Sequence, residues 1–175
     1  MSAPRDPGTY DEQELEASIV RGRLDVDLLR ARAWCDDPQA MCMYADWLLH
    51  RAMTAEEGEL VLADVAEARE WLRRAVATGS RRAAGMLGEV LLDHAPLPDD
   101  RRAGARLLRG AAFGGDVAAM RRLGVRYLVD AADATNDGEL GERSPAEARR
   151  WLMRAAARGD LRSAELLASF DDLFG

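Results

Sequence analysis

The chain has 175 residues, 48% apolar and 31% charged, enough for one domain or two small ones, with no run approaching the ~18 apolar residues of a membrane span. Its 24 basic residues are outnumbered by 31 acidic ones, for a net charge of −7, which opposes docking to phosphate backbones or anionic lipid, so neither nucleic acid nor a membrane is expected as a direct partner. Every basic residue is Arg and there is no Lys, which excludes a P-loop lysine, a Schiff-base lysine and a lysine general base.

Residues 1–10 are polar, carry Pro4, Pro7 and Gly8, and lack the apolar core of a signal peptide; they read as a flexible start to a cytoplasmic, bacterial protein. Residues 11–35 read as N-terminal capping helices, one over Asp11 to Arg23 and a second over Asp25 to Trp34. Asp36-Asp37-Pro38 then opens a repeat array that extends to residue 175, with Asp37 as N-cap and Pro38 at the first helical position. That helix continues through Ala40, Tyr44 and Leu48.

Three later segments align without gaps: 67–79, 103–115 and 147–159. Ala68, Gly104 and Ala148 correspond, as do Trp71, Leu107 and Trp151, then Leu72, Leu108 and Leu152, then Ala75, Ala111 and Ala155. The spacing makes one helical face and places Trp71 and Trp151 in the core. Gly79, Gly115 and Gly159 fall where a left-handed C-cap belongs, and Ser80, Asp116 and Asp160 follow as N-caps of a second helix. Those second helices align through Ala83, Ala119 and Ser163, and through Leu87, Leu123 and Leu167. Ser144-Pro145-Ala146-Glu147 reads as a capping box. The unit is a helical hairpin, and Phe170, Leu173 and Phe174 are expected to fold back over the last one.

These positions, with Gly88, Gly124 and Tyr127, resemble the Sel-one-like repeat family, relatives of the tetratricopeptide repeats, over residues 36–170. Asp36 departs from the pattern by standing at a turn-glycine position, Gly104 replaces the first Ala of the middle helix, and Ser163 and Ala168 blur the last copy. The resemblance implies an all-α fold, a right-handed α-solenoid of stacked antiparallel hairpins whose first helices line an inner wall. Outward positions on those helices would then include Gln39, Asp46, Leu49 and His50, next Arg82, Glu89, Leu92 and Asp93, and next Arg121, Val125 and Leu128. Trp47 lies one residue away from the Leu48, Leu91 and Tyr127 position and is a candidate to turn toward a partner.

The turn positions 36, 79, 115 and 159 make the first and third intervals seven and eight residues longer than the middle one. The extra residues fall near 52–66 and 130–143, as inter-helix insertions containing Glu56, Glu57 and Glu59, and Asp133, Asp137 and Glu139. Together with 93–100 they place twelve acids against one Arg along one rim. Acidic loops can serve solubility alone, or can attract a basic partner and speed its encounter.

Groups suited to catalysis are few. Cys35, Cys42 and His50 match no compact zinc spacing, and eight helical residues put Cys42 and His50 about 12 Å apart. The stretch from Asp133 to Leu140 resembles the start of a calcium loop, but Ser144 stands where the bidentate Glu is required. No nucleophile elbow or phosphate-cradling turn is present, and a β-lactam-binding, cysteine-rich branch of the family would need more than two cysteines. No catalytic residue, metal or cofactor is expected. The reading is a non-enzymatic protein-binding module offering about 800 Å² to one partner in a 1:1 complex, itself a monomer. The resemblance implies either a bacterial immunity protein that occludes the active site of a basic toxin or effector, or a regulatory adaptor that assembles cytoplasmic or envelope-associated proteins.

Overall fold

The computed structural model describes residues 25–54, 59–132 and 145–174, and every regular element among them is an α-helix. In order they are α1 (Val26–Trp34), α2 (Pro38–Thr54), α3 (Glu59–Ala77), α4 (Arg81–His94), α5 (Pro98–Phe113), α6 (Val117–Ala132), α7 (Pro145–Ala156) and α8 (Leu161–Phe174). The chain divides into two compact units, Met1–Ala83 and Ala84–Gly175. Residues 1–24, Glu56, Glu57, Asp133, Asp137, Glu139 and Ser144 lie outside the described residues, as do the side chains of Glu59, Leu173 and Phe174.

Four corners share one device. At each, a residue with positive φ ends a helix: Asp36 (61°), Gly79 (89°), Gly115 (100°) and Gly159 (89°). The N–H of the next residue reaches back five positions, from Asp37 to Arg32, Ser80 to Ala75, Asp116 to Ala111 and Asp160 to Ala155, at 3.0–3.3 Å. That bond satisfies a carbonyl left open by the helix end. The same residue's side chain then opens the following helix: Asp37 accepts from the Ala40 N–H, Ser80 from Ala83, Asp116 from Ala119 and Asp160 from Ser163. One residue thus closes one helix and caps the next. Asp25 caps α1 in the same way, accepting from the Leu28 N–H at 3.0 Å.

Within the first unit α1 packs on α2 and α2 on α3, burying Leu29, Met41, Leu48, Trp71 and Leu72. In the second, α5 through α8 pack in sequence around Leu108, Leu123, Tyr127, Trp151 and Phe170. The eighth residue after each corner's cap is small: Ala45, Gly88, Gly124 and Ala168. A Cβ on Gly88 would lie 2.7 Å from the Gly104 carbonyl oxygen and the Leu108 nitrogen, so α4 and α5 cross almost backbone to backbone. Gly124 takes the same place against Ala148 and Leu152 of α7.

The first insertion differs from a loop. Helix α2 runs to Thr54 and α3 begins at Glu59, so the extra residues are spent mainly on longer helices. Val65, Ala68 and Leu72 continue the buried stripe of α3 back into that segment, which is why it stays helical.

Candidate protein-binding faces

Helix α2 displays Asp46 and His50 as exposed residues of the first unit, and Arg82 is exposed at the start of α4. An open cleft of about 500 Å³ lies between the N-terminal ends of these helices, lined by Asp37, Gln39, Cys42, Ser80 and Arg82. Cys42 is buried, with its Sγ 3.9 Å from the Ser80 hydroxyl, the packing role expected of a small thiol. Among the described residues no group of three His, Cys, Asp or Glu side chains could hold a metal.

Trp47 is half-buried and engaged within the protein. It stacks on Tyr44 at 5.7 Å between ring centroids and carries the Arg51 guanidinium 4.4 Å from its ring. Tyr44 in turn meets Trp71 edge-on at 5.8 Å, and Trp71 meets Trp34 at 5.0 Å. Glu67 accepts from both the Tyr44 hydroxyl and the Trp71 indole. Burial, followed by the Glu67 charge, raises the Tyr44 pKa and keeps the phenol protonated. Arg51 also pairs with Asp64, donating from Nε at 2.6 Å and from Nη2. Asp64 is only 4% exposed, and the hydrogen bonds from Arg51 hold its carboxyl below the usual range despite burial.

In the second unit, α4 and α6 present two parallel rungs. Glu89 pairs with Arg122 and Asp93 with Arg126, each pair set one turn from the other because both helices space their charges four apart. Burial pushes the Glu89 carboxyl up, and Arg122 offsets this only in part. Beside the rungs Val125 and Val129 are exposed on α6, at 36% and 51%. Arg121 is turned to Asp160 at 2.6 Å, both side chains largely buried, so it ties α6 to the cap of α8. Burial raises Asp160, but the Ser163 hydroxyl and N–H, together with Arg121, bring its pKa below normal.

The structure thus brings Glu89, Asp93 and Val125 together, and keeps Asp46, Trp47, His50 and Arg82 with the first unit. Three rim acids that sequence counting treated as available are tied to arginines: Asp64 to Arg51, Asp93 to Arg126 and Asp99 to Arg102. Arg122 and Arg126 were missed in the sequence. Their signal was an acid nine and thirteen residues after one cap (Glu89, Asp93) followed by an Arg six and ten residues after the next.

No helix among the described residues is long and apolar enough to cross a membrane. No family model matches the sequence, and no curated protein matches it either. Among solved structures, the chain is similar to the crystal structure of a Sel1 repeat protein from Oxalobacter formigenes, at 18% identity and a TM-score of 0.60, over 93% of this chain and 62% of that one. The chain therefore has a Sel1-like repeat fold, an all-α solenoid of antiparallel helix hairpins.

Proposed function

We propose that the chain is a non-enzymatic protein-binding array, and more specifically a bacterial cytoplasmic immunity protein that neutralises a basic toxin by covering its active site in a 1:1 complex. The observation that carries this reading is the α4–α6 face, where the Glu89–Arg122 and Asp93–Arg126 pairs stand beside the exposed apolar pair Val125 and Val129. Apolar anchors supply affinity at an interface, while surrounding charges steer encounter and set register. The net charge of −7 favours a basic partner over an acidic one, and repeat arrays of this kind bind through extended surfaces rather than closed pockets.

The test is affinity capture with the full chain from native lysate, followed by co-expression of the captured protein with wild-type or substituted chain. A basic protein that arrests growth alone, is rescued by the wild type, and is rescued poorly by Val125→Glu or Asp93→Arg bears the reading out. Binding unaffected by both substitutions removes the α4–α6 face. Recovery of several non-toxic proteins together favours the regulatory adaptor instead.

A further inference from the structure

Two corners carry the same side-chain cluster and differ in one member. At Asp36, Trp34 meets Trp71 edge-on at 5.0 Å between ring centroids, and the Arg74 guanidinium lies 4.6 Å from the Trp71 ring and 5.1 Å from that of Trp34. At Gly115, Phe113 meets Trp151 edge-on at 4.9 Å, and the Arg154 guanidinium lies 4.7 Å from the Trp151 ring. The match is positional: each aromatic stands two residues before its corner, and each Trp and Arg stand eight and five residues before the next one. The Gly79 corner lacks the cluster, with Ala77, Leu107 and Gly110 at these places, and the Gly159 corner has Ala157 for its aromatic. In the first cluster the cation is neutralised from within, because Arg74 donates from Nη2 to the Asp36 carboxylate at 2.8 Å. In the second, Gly115 stands where that Asp would be. A Cβ on Gly115 would meet nothing within 4 Å, and no described carboxylate reaches Arg154. One turn on, Arg158 spends its Nη1 on the Arg154 carbonyl at 3.3 Å and the Met120 sulfur at 3.7 Å. Phe113 is 73% exposed.

We propose that the Phe113, Trp151 and Arg154 cluster docks an acidic peptide segment of a partner protein, an Asp or Glu carboxylate taking on Arg154 the place that Asp36 takes on Arg74, with a neighbouring apolar side chain over Phe113. The first cluster defines the chemistry. A guanidinium lying over an indole keeps N–H groups at its edge for a carboxylate, so the ring contact and the ion pair coexist, as they do at Arg74. The second cluster has the same ring and cation, and its carboxylate must come from another molecule. Local charge agrees. The two helices that meet here, α5 and α7, with Arg158 after them, hold eight Arg against Asp99, Asp100 and Glu147, in a chain whose net charge is −7. Helix α3, whose Arg74 is already paired, instead holds four acids against three Arg. A basic patch on an acidic molecule draws an acidic segment to that patch alone. Val125 lies ten residues along the chain from Gly115, about 15 Å of helix, so the inference holds whichever partner the α4–α6 face binds.

The test uses a short fluorescently labelled peptide of Asp-Leu-Gly repeats, titrated with the full chain and read by anisotropy, with an Asn-Leu-Gly peptide as its neutral match. Saturable binding of the acidic peptide alone is expected, weakened about fivefold by Arg154→Gln and unchanged by Arg102→Gln, which removes the same charge from an exposed arginine of α5, or by Val125→Glu. Gly115→Asp supplies the carboxylate from within, as Asp36 does, and should weaken the peptide more than Gly115→Asn, which bears the same backbone strain without the charge. If the corner variants do not fold, the Arg154→Gln and Arg102→Gln comparison decides. No saturable binding up to about 1 mM, weaker than any useful interface, overturns the proposal. Equal losses from Arg154→Gln and Arg102→Gln overturn it too, leaving only diffuse attraction, as does equal binding of the neutral peptide. Sedimentation showing a dimer that Arg154→Gln dissolves also overturns it, assigning the cluster to a second copy.

Discussion

Asp36 is the one described non-glycine residue with positive φ, at 61°, in a position where three other corners use Gly. A side chain in that conformation costs about 1 kcal/mol, though Asp bears it better than most. Its compensation, an ion pair with Arg74 at 2.8 Å, is 76% exposed on the Asp side and contributes little. Asp36→Gly is therefore expected to raise stability by about 0.5 kcal/mol, seen as a higher urea midpoint at unchanged slope. Asp64 behaves oppositely. Removing Arg51 leaves a buried carboxylate without its donor, so Arg51→Ala should cost about 2–3 kcal/mol, whereas the Arg51→Ala/Asp64→Leu double variant should recover much of it. These pairs were not legible in the sequence. Arg51 and Asp64 are 13 residues apart and Arg121 and Asp160 are 39 apart, on different helices, and only packing decides which charges meet. The caps and the buried Trp71 and Trp151 were legible because their signals lie within one helix or one turn.

At the scale of the helix pair, the small residues set how closely backbones approach. A methyl at position 88 must push against main-chain atoms at 2.7 Å, while one at 124 meets the Cγ of the fully buried Leu152 at 2.8 Å and the Ala148 carbonyl oxygen at 3.2 Å. Gly110, also helical, has nothing within 4 Å. Gly→Ala at these three sites should rank accordingly: a loss of about 2 kcal/mol at 88, a smaller loss of about 1 kcal/mol at 124, and a gain of about 1 kcal/mol at 110 from helix propensity. Thermal melts of the three variants check the order, and equal effects would contradict the close crossing of α4 and α5. The recurrence of small residues was visible in sequence; which pairs touch was not, because Gly104 occupies a position that other copies fill with Ala.

Across the molecule, the perturbed carboxyls give stability a defined pH profile. Asp64 and Asp160 have lowered folded pKa values, so their contribution is present above the ordinary carboxylate range and is lost as pH falls through their folded values, below about pH 4. Glu89 is raised, so its contribution is full in acid and declines as pH rises through its folded value. Glu89→Gln should therefore gain stability relative to wild type as pH rises from about 4 toward 7, whereas Asp160→Asn should be less stable by a constant amount across that range, a deficit that shrinks only below about pH 4. Denaturant titrations at several pH values separate the two trends.

The doubled duty of Asp37, Ser80, Asp116 and Asp160 governs how the chain loosens. Because one residue latches the end of one rod and the beginning of the next, neither rod can unravel at that corner without dragging its neighbour along. Amide deuteration should accordingly advance in blocks that span each corner, with no helix boundary there acting as a firebreak.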